Sequence, residues 1–219
     1  MELIAFTDIH SYHSDLEKIS PLLKGADAVI IAGDITDFGY GEESGQILDE
    51  LSHYNSKIFA VAGNCDNPDV EEFLNTKGWN VNKSVKNFNG YSITGFSGSL
   101  PCPGKTPNEY SETDYKNEIL RIKNDLNPES QTILITHQPP YNTLNDQVSP
   151  GMHVGSHSIR SFIEELQPLI CFTGHIHEGV GIDDIGNSKI VNPGPMKYGR
   201  YAYAKLIDGQ IIELSIKNI

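Results

Sequence analysis

The chain has 219 residues, of which 38% are hydrophobic and 21% are charged, so it is long enough to bury a full hydrophobic core. Sixteen basic and twenty-nine acidic side chains give a formal net charge of −13, which disfavours a large nucleic acid as partner because its phosphates would be repelled. A small phosphate ester stays admissible, since a bound divalent cation reverses the local field.

The sequence has no segment typical of secretion or of membrane insertion. Its start, "MELIAFTD", lacks a basic stretch followed by a long apolar run, and no apolar run approaches the roughly 20 residues that span a bilayer. The three cysteines, Cys65, Cys102 and Cys171, are odd in number and far apart, which favours reduced thiols. We therefore expect a cytoplasmic protein without a membrane partner, and the sequence leaves a homo-oligomer open.

The first third of the chain alternates short apolar runs with amphipathic segments. The runs "ELIAFTD", "DAVIIAGD" and "SKIFAVAGNCD" predict strands that are buried on both faces of a parallel sheet. Between them, "SDLEKISPLLKG" and "GEESGQILDELSHY" predict helices, with Ser14 and Ser44 as caps and Gly25 as the end of the first helix. This alternation predicts an α/β fold.

From Trp79 onward, strand candidates that are mostly joined without helices predict antiparallel or mixed sheet. They are "YSITGFSG", "QTILITHQPP", "PLICFTGHIHEG", "SKIVNPGP", "RYAYAKLID" and "QIIELSIKNI". Two helices interrupt them, one over "YKNEILRIKNDL" and one that begins near Ser156. We expect a single domain over residues 1–219, with a surface excursion at 100–130 whose Pro- and Gly-rich part is exposed.

Polar side chains follow five of these apolar runs, where an open α/β sheet places its ligands. Seven of them can bind a metal: Asp8, His10, Asp34, Asn64, His137, His175 and His177. Carboxylate, amide and imidazole together suit Mn, Fe, Co, Ni or Zn better than calcium. The set is too large for one ion, but two divalent cations about 3.5–4 Å apart that share one carboxylate would use all of it. Asp34 is the natural bridge.

The ordered series "DIH", "GD", "GNCD", "TH" and "GHIH" resembles the calcineurin-like metallophosphoesterase superfamily, in particular its short bacterial and archaeal phosphodiesterases with "GNCD". The resemblance implies a metallophosphoesterase-type αββα sandwich, in which helices flank two mixed β-sheets and two divalent metals lie at the strand ends. By position, it puts Asp8, His10 and His177 on one metal, Asn64, His137 and His175 on the other, and Asp34 on both. Asn64 and His137 thereby become candidate catalytic residues as well.

Two positions depart from the usual family pattern. Ser11 stands where a glycine usually follows the first motif, and Cys65 stands where many members carry a histidine that is a candidate general acid. His153, in a Gly-rich loop, is the candidate replacement for that acid, with a solvated loop histidine as the competing interpretation. Asp37 and Asp66 are expected to orient or cap their neighbours without binding metal.

The function that this resemblance implies is hydrolysis of a small phosphodiester by a hydroxide held between the two metals. A diester is favoured because a site without the adjacent histidine copes best with a leaving group that needs little protonation. A phosphomonoesterase stays open as an alternative, and a nuclease is disfavoured by the acidic charge. A protein-interaction scaffold of the same fold, with or without metal, is the alternative from another class, and the complete set of seven ligating residues favours the enzyme.

Overall fold

The computed structural model describes residues 1–12 and 15–219, and the cap predicted at Ser14 lies outside them. A first, mixed sheet contains five strands in the order β13-β12-β1-β2-β3. β1 pairs in parallel with β2, and β2 pairs in parallel with β3, whereas β12 and β13 join antiparallel. The strands are β1 (Glu2–Phe6), β2 (Ala28–Ala32), β3 (Ile58–Val61), β12 (Arg200–Ile207) and β13 (Gln210–Asn218).

A second, mixed sheet contains six strands in the order β10-β11-β9-β6-β5-β4. Its four central strands run parallel, and β4 and β10 add antiparallel edges. Its strands are β4 (Val85–Phe88), β5 (Tyr91–Phe96), β6 (Thr132–Thr136), β9 (Ile170–Phe172), β10 (Gly181–Ile185) and β11 (Ser188–Asn192). Residues 147–153 form a separate ribbon of β7 (Gln147–Ser149) and β8 (Met152–His153). The mixed sheet is confirmed, although the sequence did not predict β4, β7, β8 or β10.

Helices cover the outer face of each sheet. α1 (Ser20–Gly25), α2 (Gly41–Tyr54) and α3 (Pro68–Lys77) pack on the first sheet, and α4 (Glu112–Ile122) and α5 (His157–Leu166) pack on the second. Because side chains alternate along a strand, Ile4 and Phe6 of β1 face the helices while Leu3 and Ala5 face the other sheet. The result is the αββα sandwich that the family resemblance implied, and it is confirmed.

Two helices begin earlier than the sequence predicted, and hydrogen bonds to their first residues explain why. α2 begins at Gly41, not near Ser44, because Asp69 of α3 accepts a hydrogen bond from the Gly41 N–H at 3.0 Å. Ser44 is buried inside the helix and donates its hydroxyl to the Gly41 carbonyl. The Ser44 cap was therefore wrong. α4 begins three residues before Tyr115, at Glu112, because Ser111 and Asp114 form a capping box there.

In the part of the chain that the structure describes, no helix is both long and apolar enough to cross a membrane.

The start of α5 depends on a carboxylate from α4, which gives a first prediction. Glu112 accepts hydrogen bonds from the backbone N–H of His157 at 2.7 Å and of Ser158 at 3.0 Å, and from the Ser156 hydroxyl at 2.8 Å. Burial opposes ionisation of Glu112, but these donors outweigh it and hold its pKa below the ordinary value. Glu112→Ala should lower the free energy of unfolding at pH 7 by about 1–2 kcal/mol.

The pH dependence follows from the lowered pKa. The contribution of Glu112 is complete above the unfolded-state pKa of about 4.3 and is lost as the pH falls through the folded-state value. Urea unfolding of wild type and Glu112→Ala should therefore differ clearly at pH 7 and less at strongly acidic pH. Glu118→Ala is the matched control, because Glu118 makes only a 3.4 Å surface contact with Arg121. Equal losses in the two variants at pH 7 would contradict the capping role.

Candidate metal centre

The seven predicted donor residues lie at the carboxyl ends of five strands. Four donors follow strands of the first sheet: Asp8 and His10 after β1, Asp34 after β2 and Asn64 after β3. The other three follow strands of the second sheet: His137 after β6, and His175 and His177 after β9. The structure brings all seven together where the ends of the two sheets meet. Their polar atoms form two groups that meet at Asp34.

The first donor group contains Asp8, His10 and His177. The Nε2 atoms of His10 and His177 are 3.4 Å apart, and the Oδ1 atom of Asp8 lies 3.3 Å from His177 Nε2 and 3.8 Å from His10 Nε2. The Oδ2 atom of Asp34 lies 3.8 Å from His10 Nε2. Four potential ligand atoms therefore surround one small volume.

The second donor group contains Asn64, His137 and His175. The Nε2 atom of His137 lies 2.9 Å from the Asn64 Oδ1 atom and 3.3 Å from the Asp34 Oδ1 atom. The imidazole of His175 joins through a ring contact with His137, with centroids 5.2 Å apart, and its backbone N–H donates to Asp8 Oδ2 at 3.2 Å. The two oxygens of Asp34 thus face different donor groups.

The donor atoms fit a divalent cation. The Nδ1 atom of His137 lies 2.8 Å from the Ala32 carbonyl, which accepts its hydrogen, so the Nε2 atom faces the oxygens of Asn64 and Asp34 and presents its lone pair to them whenever it carries no proton. Three lone pairs that converge on one point repel one another unless a positive charge lies between them. Two atoms about 2.1 Å from one ion at a tetrahedral angle lie about 3.4 Å apart, close to the separations in both groups.

The pKa values follow from the same buried charges. Burial opposes protonation of His137, but the Asp34 carboxylate outweighs it and raises the pKa of His137 to about 9. Burial also opposes ionisation of Asp34, yet His137 and the N–H of Cys65 hold the pKa of that carboxyl well below its usual range. Burial and the neighbouring His137 lower the pKa of His175 to about 4, so the His175 ring is a neutral donor at pH 7.

A sequence profile described as calcineurin-like phosphoesterase matches residues 1–179. The chain belongs to the calcineurin-like phosphoesterase family. It is also 38% identical over 209 residues to an uncharacterised protein of Methanocaldococcus jannaschii, an alignment that covers 92% of this chain and 91% of the relative. Membership makes the chain a phosphoesterase that uses divalent metal ions and acts on a small-molecule substrate.

Solved structures share the fold of this phosphoesterase across nearly its whole length. The Thermus thermophilus protein TT1561 matches with a TM-score of 0.76 at 19% identity, over 99% of this chain and 98% of that one. A dimetal phosphatase from Danio rerio matches with a TM-score of 0.61 at 10% identity, over 100% of this chain and 95% of that one. At such identities the likeness establishes the fold alone.

Four of the seven donor residues have a strained backbone conformation. Asp8, His10, Asp34 and His175 have φ angles of 51°, 47°, 48° and 68°, in the left-handed region that side chains other than glycine rarely adopt. Such conformations persist only where the surroundings impose them. Here the N–H of Asp8 donates to the Gly33 carbonyl and that of His10 to the Asp34 carbonyl, both at 3.0 Å. The strained turns therefore hold the donor side chains in place before any ligand arrives.

Asp66 fastens these turns together and does not join either donor group. Its buried carboxylate accepts hydrogen bonds from the backbone N–H of Thr36 at 2.8 Å and of Gly63 at 2.7 Å, so it ties the loop after β2 to the loop after β3. Burial, together with the charge of Asp34, raises the pKa of Asp66 to about 6. Asp37 is exposed, and its Oδ1 atom lies 3.7 Å from His10 Nδ1, too far for a hydrogen bond.

Two thiols reach the centre. The Cys65 Sγ atom lies within 4.8 Å of ligand atoms of His10 and Asp34. Burial and Asp34 raise the pKa of Cys65, so it stays a neutral thiol. The Cys102 Sγ atom lies 3.7 Å from His175 Nε2, a contact that no spacing in the sequence could have revealed, because it depends on the path of the 100–110 loop.

The predicted acid, His153, lies on the β7–β8 ribbon, which follows the His137 loop along the chain. Its Nδ1 atom is 2.6 Å from Oδ1 of the fully buried Asp146, and its ring also contacts Gln147 and Tyr141. Over residues 1–12 and 15–219, none of its contacts is with the seven donors. The ribbon is fixed to both histidine-bearing loops, because the Gln138 amide donates to the Val154 carbonyl and the Asn145 amide to the Gly179 carbonyl.

The close approach of Gly63 to Asp34 gives a second prediction. A Cβ atom at Gly63 would lie 2.0 Å from Asp34 Oδ1 and 2.1 Å from the Asp34 backbone nitrogen, so Gly63→Ala must displace both the carboxylate that faces the two donor groups and the turn that carries it. We expect Gly63→Ala to weaken metal binding at least about ten-fold, since even small shifts of the ligand shell cost that much. Gly25→Ala is the control, because a Cβ atom there meets nothing within 4 Å. Isothermal titration with Mn²⁺ measures both, and unchanged affinity in Gly63→Ala would contradict the geometry.

Proposed function

We propose that this phosphoesterase hydrolyses a small phosphodiester with two divalent metal ions, drawn from Mn, Fe, Zn, Co and Ni. Asp8, His10 and His177 hold one ion, Asn64, His137 and His175 hold the other, and Asp34 bridges them. The observation that carries this proposal is the position of Asp34, whose Oδ1 atom lies 3.3 Å from His137 and whose Oδ2 atom lies 3.8 Å from His10. The name of the Danio rerio protein of the same fold, a dimetal phosphatase, supports a two-metal centre.

The residues of the chain supply a rigid, correctly protonated ligand shell. The Ala32 carbonyl keeps the hydrogen of His137 on Nδ1. The Oδ2 atom of Asp8 accepts hydrogen bonds from the Thr7 hydroxyl at 2.8 Å and from the His175 N–H at 3.2 Å, which leaves Oδ1 for the first donor group. When bound, divalent cations neutralise phosphate oxygens and make water a nucleophile at neutral pH. Because the donor side chains are already fixed in position, they need not reorganise as charge develops on the substrate during the reaction.

The preference for a diester rests on how the leaving group is protonated and on the charge of the substrate. Cys65 occupies the position of the usual histidine, and a thiol whose pKa is raised by burial and by Asp34 is a poor proton donor. A diester also brings less negative charge than a monoester into a protein of net charge −13. Both arguments favour a diester, and a diester with an alkyl leaving group needs a proton donor other than Cys65.

His153 is the proposed general acid, acting with Asp146. Asp146 accepts the hydrogen of His153 Nδ1 at 2.6 Å, and its other oxygen accepts the N–H of Gly155 at 2.9 Å. A buried carboxylate in this position fixes the tautomer and the orientation of the imidazole, as in hydrolytic triads. The Nε2 atom is then the one that exchanges a proton with the leaving oxygen.

The first test of this function concerns the bridge. Asp34→Asn removes the negative charge that both donor groups share and replaces one oxygen with an NH2 group, which cannot bind a metal, so it should weaken both metal sites. Metal content after dialysis against limiting Mn²⁺ should fall from up to two ions per chain to less than one. Asp37→Asn is the control, since Asp37 is exposed and 3.7 Å from His10. Retention of both ions at wild-type affinity in Asp34→Asn would show that the bridging assignment is wrong.

A second test concerns catalysis. With Mn²⁺ the protein should hydrolyse bis(4-nitrophenyl) phosphate, and His175→Ala and His177→Ala should each lower kcat/KM at least about 100-fold, because each removes a metal ligand. His53→Ala, on the exposed face of α2, should retain activity. Chelation should abolish turnover. Sustained hydrolysis by metal-free protein would contradict the mechanism. If metal-loaded protein is inactive on every phosphate ester, the protein-interaction scaffold is favoured instead.

A third test separates Cys65 from His153 by leaving-group dependence. In a series of aryl and alkyl phosphodiesters, His153→Ala should slow the alkyl esters much more than the activated aryl esters and leave metal content unchanged, since only poor leaving groups need the proton. Asp146→Asn should have a similar, smaller effect, and Cys65→His should restore part of the lost rate on alkyl esters in a His153→Ala background. The same steep dependence in wild type and His153→Ala would exclude His153 as the acid.

A further inference from the structure

The two large sheets have four edge strands, and β13 is the one least protected against pairing with another chain. β3 is short and is covered by a bridge between Ala60 and Asn80, β4 has four residues, and β10 carries Asp183 and Asp184. β13 has nine residues, Gln210–Asn218, and contains no proline. Among the residues that the structure describes, it pairs only with β12. Such a long edge strand offers free N–H and C=O groups to a further strand.

The pairing of β12 determines which residues of β13 have free backbone groups. The Leu206 N–H donates to the Met1 carbonyl at 2.8 Å, so the even-numbered residues of β12 bond to β1. The odd-numbered residues of β12 therefore bond to β13, and in the same register the Ile219 N–H donates to the Gly199 carbonyl at 2.7 Å. The residues of β13 whose N–H and C=O groups point away from the sheet are Leu214, Ile216 and Asn218.

The same strand carries two opposite charges on one face. Glu213 and Lys217 lie on either side of Ser215, and their partly exposed side chains form an ion pair of 3.1 Å. When two copies of β13 pair antiparallel with Ser215 opposite Ser215, each Glu213 lies opposite the Lys217 of the second copy. On the other face, Leu214 then lies opposite Ile216 of the second copy. Both kinds of cross-strand pair stabilise a sheet.

This register satisfies the backbone groups and the charges together. Residues with free groups must lie opposite one another to exchange hydrogen bonds, which excludes every register that is shifted by an odd number of residues. A shift of two residues in either direction leaves Glu213 without Lys217 opposite it. A shift of four residues places Lys217 opposite Lys217, or Glu213 opposite Glu213, and like charges at such positions destabilise a sheet. The strand is therefore complementary to itself in the register centred on Ser215.

We propose that two copies of this chain associate through β13, in antiparallel register centred on Ser215, so that their first sheets become one continuous sheet. The occupant of the edge is a second copy because both the free backbone groups and the charges of β13 are self-complementary, as a two-fold symmetric interface requires. One strand pair is a small interface, so the dimer is weak and depends on concentration. β12 separates β13 from β1, so the metal donors lie outside this interface.

Sedimentation analysis of the full chain tests the association. Wild type should pass from monomer to dimer as its concentration rises into the millimolar range. Lys217→Glu should weaken the dimer at least about ten-fold, because acidic side chains then lie opposite one another, and Glu213→Lys should do the same with basic side chains. Lys189→Glu is the matched control, since it makes the same charge change in an exposed cross-strand pair with Asp184 of the second sheet, and it should leave the dimer unchanged.

A mixture of the two single variants tests the register itself. Glu213→Lys and Lys217→Glu together place opposite charges at both positions, so a heterodimer should form at concentrations where neither variant associates alone. The double variant with both changes restores both pairs and should associate like wild type.

Amide hydrogen exchange of wild type tests the backbone pairing without any substitution. The Leu214 and Ile216 amides should exchange more slowly in concentrated than in dilute protein, because the second copy bonds them. The Ser215 amide faces β12 and should exchange at the same rate at both concentrations.

The outcomes are independent of phosphoester hydrolysis. Slower exchange at Leu214 and Ile216, together with the heterodimer, supports the proposal. Wild type that stays monomeric into the millimolar range would overturn it and leave a strand of another protein as the occupant of this edge. A dimer that both single variants retain at wild-type affinity, or the absence of a heterodimer in the mixture, would show that the copies do not pair through β13 in this register.

Discussion

The structure of this centre depends on one buried carboxylate, that of Asp34, which faces both donor groups. Asp34 accepts the N–H of Cys65 on Oδ1 at 2.8 Å, and its two oxygens face His137 on one side and His10 on the other. An anion in such a position is costly unless positive charge compensates it. The pKa of His137, raised to about 9, expresses the same demand, because without a cation a proton must take its place. Divalent metal ions bound as proposed would meet this demand for both groups.

The sandwich serves this centre by supplying rigidity from two directions. Donors after β1, β2 and β3 come from one sheet and those after β6 and β9 come from the other, so the inter-sheet core fixes their relative positions. That core also offsets the strain of left-handed residues such as Asp8 and His175. The buried Asp66 carboxylate fixes the loop after β2 against the loop after β3 through its hydrogen bonds with Thr36 and Gly63. A site that is built in this way has little freedom to relax around a missing ligand.

Much of the centre could be predicted from the sequence because strand ends are marked locally. An apolar run followed by Thr or Gly and then by Asp, Asn or His gives both the strand and the candidate donor. The chain has five such ends, and ligands bind at the carboxyl ends of the strands in an α/β sheet. The cap at Ser44 was wrong because Asp69, distant in sequence, supplies the first bond of α2. The contact of Cys102 with His175 and the partner of His153, Asp146, likewise depend on how loops fold back over the sheet. No period or spacing in the sequence encodes those paths.

Electron paramagnetic resonance of the protein during titration with Mn²⁺ tests the shared carboxylate most directly. Two Mn²⁺ ions that are bridged by Asp34 lie close enough for their electron spins to couple. We expect the spectrum to change, between one and two equivalents of metal, from that of an isolated ion to the multiline spectrum of an exchange-coupled pair, and Asp34→Asn to abolish the coupled spectrum. Two equivalents bound with only isolated-ion spectra, or saturation at one equivalent, would contradict a centre organised around Asp34.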